Sequence, residues 1–150
     1  MAPMKMSQII EGVQSIDFKV NGDNRGSLVA IESLHNIPFE IKRIYYIYAT
    51  IPEASRGCHA HPHLQQVLVC VNGSCDIYLF NGKEEKWVHL DQPNTGIYIS
   101  GFVWREMHNF SRDCVLLAIV DEYYEDTVYI YDKNYCVTHY TCGDKGENGI

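Results

Sequence analysis

The stretch GCHAHPHLQQVLVCVNG, residues 57 to 73, decides how the chain is read. It pairs a histidine-rich head with an apolar run, Gln66-Val-Leu-Val-Cys-Val71, and closes on Asn72-Gly73. The run is rich in β-branched residues and is followed by Asn-Gly, the strongest short hairpin signal. His59 and His61 are two apart, so a strand through them puts both imidazoles on one face. His63 follows Pro62 and falls at a turn or strand edge. Cys58, beside His59, alternates to the other face and reads as packing rather than as a nucleophile.

The same texture continues outward. Segments 41–48, 75–80, 96–99 and 114–120 are rich in β-branched and aromatic residues. A second Asn-Gly pair, Asn81-Gly82, lies between such runs. No segment keeps a helical period over three turns. Many short strands with turns every eight to twelve residues predict an all-β single domain, a sandwich, jelly roll or barrel of antiparallel sheets. The polar, glycine-rich end, 139–150, is expected to be a tail or the start of a linker, leaving 1–138 as the domain.

The chain has 150 residues, one domain's worth. Its net charge of −7 argues against nucleic acid or an anionic membrane surface as a partner, since both require a basic face. An anionic small substrate then needs locally placed arginines. The six cysteines form no C-x-x-C, and four sit in apolar runs, which reads as reduced core thiols. No apolar run approaches the roughly 20 residues of a membrane span, and the start lacks a signal-peptide core. These features together predict a cytoplasmic protein.

Two imidazoles on one face suit a metal or acid/base work. The spacing of Gly57, His59, His61 and Gly73 resembles the first cupin motif, with Gln66 where a metal-binding glutamate would stand. The second cupin motif resembles 100–109, with Asn109 matching and Arg105 at the histidine position. An amide and a cation in place of two ligands argue against a metal. His108, three residues from Arg105, falls on the opposite strand face. Acid/base chemistry at a carbon beside a carbonyl remains. Imidazole is the usual base near neutral pH, and an enolate calls for a positioned donor or cation. Tyr45, Arg43, Gln66 and Arg105 are candidates, and Arg43 and Tyr45 share strand parity.

The motifs Arg25-Gly-Ser-Leu-Val-Ala-Ile-Glu32, Phe39-Glu-Ile-Lys-Arg-Ile-Tyr-Tyr-Ile-Tyr48, Arg56-Gly-Cys-His-Ala-His61, Gln66 to Ser74 and Trp104-Arg-Glu-Met107 make the likeness specific. Over residues 14–137 the chain resembles the WxcM-like cupin sugar 3,4-ketoisomerases, which act on dTDP-4-keto-6-deoxy-D-glucose. The resemblance implies a cupin jelly-roll barrel and a homodimer with exchanged N-terminal strands. It implies metal-independent catalysis without cofactor, on the way to 3-amino-3,6-dideoxyhexoses. It also implies that His59 takes the C3 proton to give an enediolate, that His61 relays a proton, and that Tyr45 bonds the sugar oxygens. Arg25, Arg43, Arg56, Gln66, Trp104, Arg105 and Glu106 are the substrate-binding candidates, with the arginines suited to the diphosphate. Arg25 and Arg105 together leave gluco and galacto products open, and Tyr131 stands where the family often has arginine. The rival readings are a sugar-nucleotide 3,5-epimerase and a cupin that binds a sugar nucleotide without catalysis.

Overall fold

The alternating and apolar runs fold as strands, in a computed structural model that describes residues 5–139. In chain order these are β1 (Lys5–Ile10), β2 (Val13–Asp17), β3 (Asn21–Asp23), β4 (Gly26–Leu28), β5 (Arg43–Ile47) and β6 (Arg56–His59). Then come β7 (Gln66–Asn72), β8 (Cys75–Phe80), β9 (Glu85–Leu90), β10 (Thr95–Ile99), β11 (Trp104–His108) and β12 (Val115–Val120). A 3₁₀ turn at Tyr124–Asp126 and a short α-helix, α1 (Asn134–His139), follow. Apart from His139, the expected polar tail lies outside the described residues, as does Cys142.

Two antiparallel sheets face each other, as the fold class predicts. One has the order β1-β2-β10-β7-β12-β5 and the other β6-β11-β8-β9, with β3 and β4 forming a separate hairpin. The main core lies between the sheets and includes Val13, Leu68, Ile77, Leu79, Ile97, Met107 and Leu116. A second cluster covers the outer face of the larger sheet, where Phe18, Ile37 and Phe39 pack on Val67, Val69 and Ile119. Strand β7 is therefore buried on both faces, which explains its continuous apolar run. A third cluster sits on the outer face of the smaller sheet. There Ile130 and Cys136 of the C-terminal segment pack on Ala60, Tyr78 and Trp104.

The two Asn-Gly turns differ. Asn81-Gly82 joins the paired strands β8 and β9 as a hairpin. Asn72-Gly73 does not make the expected hairpin, because β7 and β8 belong to different sheets. It is a crossing turn, held by its contact with the loop before β12. The Asn72 amide donates to Asp113 O at 2.8 Å, Ser74 N donates to Ser111 Oγ at 2.9 Å, and Ser111 N donates to Ser74 O at 2.9 Å. Gly73 has φ +69, and a Cβ there would lie 2.8 Å from the Cys114 Cα. Gly73→Ala is therefore expected to cost about 1–3 kcal/mol, read as a lowered urea midpoint at unchanged slope.

Candidate active site

The pocket opens where β5, β6 and the C-terminal segment converge. On β5 the side chains of Arg43, Tyr45 and Ile47 turn inward, while Ile44 and Tyr46 face out, as period-two alternation requires. Arg56 and His59 of β6 form a second wall, and Tyr124 and Tyr129 a third. The cavity measures about 240 Å³.

Strand β6 reaches the site through a bulge. His59 pairs with Arg105 and Gly57 with Glu106, so Cys58 is the extra residue. Both Gly57 (φ +85) and Cys58 (φ +60) are left-handed. Cys58 is consequently exposed, not packed in the core as simple alternation suggests. The bulge re-aims the chain just before His59.

Past β6 the chain stays extended, because Ala60 exchanges two backbone hydrogen bonds of 2.9 Å with Ile130. Ala60 and Ile130 point into the third cluster, so their neighbours point the other way. His59, His61, Tyr129 and Tyr131 thus share one face. The His59 and His61 rings are 4.5 Å apart, and Tyr129 lies 5.0 Å from His59 and 4.8 Å from His61, edge-on to both.

Each histidine has its tautomer set by the backbone. His59 Nδ1 donates to Gly57 O at 3.0 Å, and His61 Nδ1 donates to Val128 O at 2.9 Å. A carbonyl only accepts, so the neutral rings carry their proton on Nδ1 and their lone pair on Nε2. Burial, then the charge of Arg105, lowers the His59 pKa from 6.5 to about 4. The same two causes lower His61 to about 3. Both are therefore uncharged bases at neutral pH.

Arg105 is fully buried. Burial lowers its pKa to about 10, which leaves it charged at neutral pH. Its Nη1 donates to Gln66 Oε1 at 2.8 Å and its Nη2 to Val103 O at 2.9 Å. Gln66 Nε2 in turn donates to the Tyr45 hydroxyl at 3.0 Å. The Tyr45 oxygen is thus already an acceptor, and its own proton is available to a third group. Burial raises the Tyr45 pKa, so the phenol keeps that proton. A divalent metal does not fit this donor set: the positions that would complete a histidine site hold an amide and a permanent cation bonded to each other.

Arg43 stacks its guanidinium 5.4 Å from the Tyr45 ring and 5.5 Å from the Tyr124 ring. Among the described residues, the buried side-chain nitrogens with no hydrogen-bond partner are Nε of Arg43 and of Arg105. Arg43 is half-buried and its Nη2 donates to Thr127 Oγ1 at 3.4 Å, so its free Nε, on a cavity-lining side chain, is a donor open to an anionic ligand.

The structure brings Tyr45, His59, His61, Arg43, Arg56, Gln66 and Arg105 together. Trp104 and Glu106 lie elsewhere, since even positions of β11 face away from Arg105. Trp104 Nε1 donates to Glu106 Oε2 at 2.7 Å, Glu106 also bonds His108, and Trp104 helps bury the C-terminal segment. Arg25 is exposed on the β3–β4 hairpin and ion-paired with Asp23. Reading the sequence overlooked Tyr124, Tyr129 and the Val128 carbonyl. The one signal was tyrosine at 129 and 131, a strand-like alternation among eleven tyrosines.

Comparison with known proteins gives the family and the fold. The family model FdtA: WxcM-like, C-terminal, matches residues 11–140. A TDP-4-oxo-6-deoxy-alpha-D-glucose-3,4-oxoisomerase of Aneurinibacillus thermoaerophilus is 53% identical over 120 residues, 79% of this chain and 86% of the relative. The chain belongs to the WxcM-like family. Its fold is shared by the 3,4-ketoisomerase QdtA of Thermoanaerobacterium thermosaccharolyticum, solved as a histidine-to-asparagine variant with TDP-4-keto-6-deoxyglucose. That match has a TM-score of 0.84 and 41% identity, over 89% of this chain and 96% of the other. A 3,4-ketoisomerase of Helicobacter canadensis matches with TM-score 0.81 and 45% identity, over 86% of this chain and 97% of the other. A 4-keto-6-deoxy sugar epimerase of Streptomyces spheroides, at 17% identity and TM-score 0.69 over 85% of this chain and 75% of the other, shares the fold alone.

Proposed function

We propose that the protein is a sugar-nucleotide 3,4-ketoisomerase acting on TDP-4-keto-6-deoxyglucose by histidine acid/base catalysis. The observation that carries the mechanism is the pair of neutral imidazoles, 4.5 Å apart, whose Nδ1 atoms are held by backbone carbonyls, with His59 lining the same cavity as Tyr45. His59 Nε2 takes the C3 proton, and Tyr45 donates to the C4 oxygen as its charge develops. Arg105 acts behind Tyr45, through Gln66. The enediolate is then reprotonated at C4 while the O3 proton departs, with His61 as relay, leaving the ketone at C3. Arg43 and Arg56 bind the diphosphate; the unpartnered Arg43 Nε supports this role.

We read the enzyme as a cytoplasmic homodimer with exchanged N-terminal strands. The exposed Ile44 and Tyr46 on edge strand β5 and the exposed β3–β4 hairpin support a partner there. In such a dimer Arg25 serves the neighbouring copy. Light scattering on the eluting peak tests this, and a monomer at micromolar concentration overturns it.

Proton NMR in D2O with TDP-4-keto-6-deoxyglucose tests the activity. Deuterium at C4 with the ketone at C3 is expected, and the coupling constants assign gluco or galacto. Exchange at C3 and C5 with the ketone retained at C4 makes the protein an epimerase, and no exchange makes it a binding protein.

The lowered histidine pKa values set the pH dependence. Burial and Arg105 disfavour the imidazolium, so the base form survives below pH 6.5. The acid limb of kcat/KM is expected near pH 4, and a limb at 6.5 contradicts the assignment. Stability follows the same sign. From pH 6.5 down to about 4 for His59, and to about 3 for His61, the unfolded histidines bind protons that the folded ones refuse, so stability falls as pH drops through that window.

A further inference from the structure

Three thiols that the proposed chemistry does not use meet at one end of the sandwich. Cys70 on β7 and Cys75 on β8 come from different sheets, and Cys114 leads into β12. Cys70 Sγ lies 3.4 Å from Cys75 Sγ and 3.6 Å from Cys114 Sγ, and all three sulfurs lie within 4.8 Å of one another. All three are buried, among Ile77, Met107, Phe110 and Leu116. The Asn72-Gly73 crossing turn makes the trio, because its contact with residues 111–114 brings Cys114 against the ends of β7 and β8.

One atom bonded to three sulfurs at roughly 2.3 Å spans separations of this size. Charge then selects the atom. Three thiolates around a monovalent or divalent ion leave a net anion in an apolar core whose described residues include no cation, which is costly. The surroundings also resist bare thiolates. Contact with Cys75 and burial push the Cys70 thiol well above its ordinary range, and burial pushes Cys114 up to about 12. A trivalent centre bonded to three sulfurs is neutral and suits the core.

We infer that Cys70, Cys75 and Cys114 form a three-sulfur capture site for trivalent arsenic. Arsenous acid, As(OH)3, meets three thiols. Three S–H and three As–O bonds break, three As–S and three O–H bonds form, and three waters leave. The oxidation state of arsenic does not change. Capture waits on local opening of the sandwich end, so it is slow. The product ties β8 of one sheet to β7 and β12 of the other, so it stabilises the fold by mass action.

The test incubates the full chain with arsenite, without competing dithiol, and then desalts it. One arsenic per chain, a raised Tm and an arsenic X-ray absorption spectrum with three sulfur neighbours are expected. Cys70→Ala, Cys75→Ala and Cys114→Ala are each expected to weaken binding by about tenfold or more. Cys58→Ser, at the exposed thiol, leaves stoichiometry unchanged. Arsenic lost on desalting, fewer than three sulfur neighbours, or binding abolished by Cys58→Ser overturns the inference. If the alanine variants do not fold, the absorption spectrum of the unmodified chain decides alone.

Discussion

The His59→Asn variant is expected to lose about 10²–10⁴-fold in kcat, the range for removal of a positioned general base. The imidazole offers Nε2 to substrate only because Nδ1 is held by Gly57 O. Asparagine keeps a donor for that carbonyl and fills similar space, so the bulge and the Ala60–Ile130 bridge remain. What vanishes is the lone pair. KM should change little, and deuterium exchange at C3 should fall with kcat. His61→Asn serves as the comparison, because its ring holds the same tautomer against Val128 O. If His61→Asn stops exchange at C3 and His59→Asn does not, the two roles are reversed. If neither variant slows exchange, the histidines are not the base.

Tyr45→Phe is the second large effect, about 10²–10³-fold in kcat, the loss seen when one oxyanion donor is removed. The Tyr45 oxygen accepts from Gln66 Nε2, and Gln66 Oε1 accepts from Arg105. This chain orients the phenol so that its proton faces outward. The ring remains in phenylalanine, and Arg43 still stacks on it, so binding should survive. Gln66 Nε2 loses its acceptor in a buried setting, which costs about 1–3 kcal/mol of stability. A lowered kcat at near-constant KM is the expected signature. A raised KM at constant kcat would make Tyr45 a binding group only.

The pocket half supplied by β5 and by the His59 pair was legible because it rests on local parity. Arg43 and Tyr45 are two apart, as are His59 and His61, and two-residue spacing survives folding whenever the chain stays extended. Arg105 and Gln66 were found through their place in a motif, but their bond to each other joins β11 of one sheet to β7 of the other. Trp104 and Glu106 were grouped with Arg105 as binding candidates, although the parity that set His108 apart also puts them on the other face of β11. The failure at Cys58 has a cause of the same kind. One inserted residue breaks the period, and pairing with β11 decides where the insertion falls.

By itself the sequence determined the all-β class, the strand runs around β7 and the paired histidines. These follow from composition and from periods of two, which each segment carries alone. The tertiary structure decided what lies against what. It sent the Asn72-Gly73 turn from one sheet to the other, laid residues 128–131 along the histidines, and buried Arg105 behind Gln66 and Tyr45. Those contacts join residues far apart in the chain, 67 positions at His61 and Val128. No local pattern encodes such a contact, because its energy appears only when both sheets and the C-terminal segment have closed over the same water-free space.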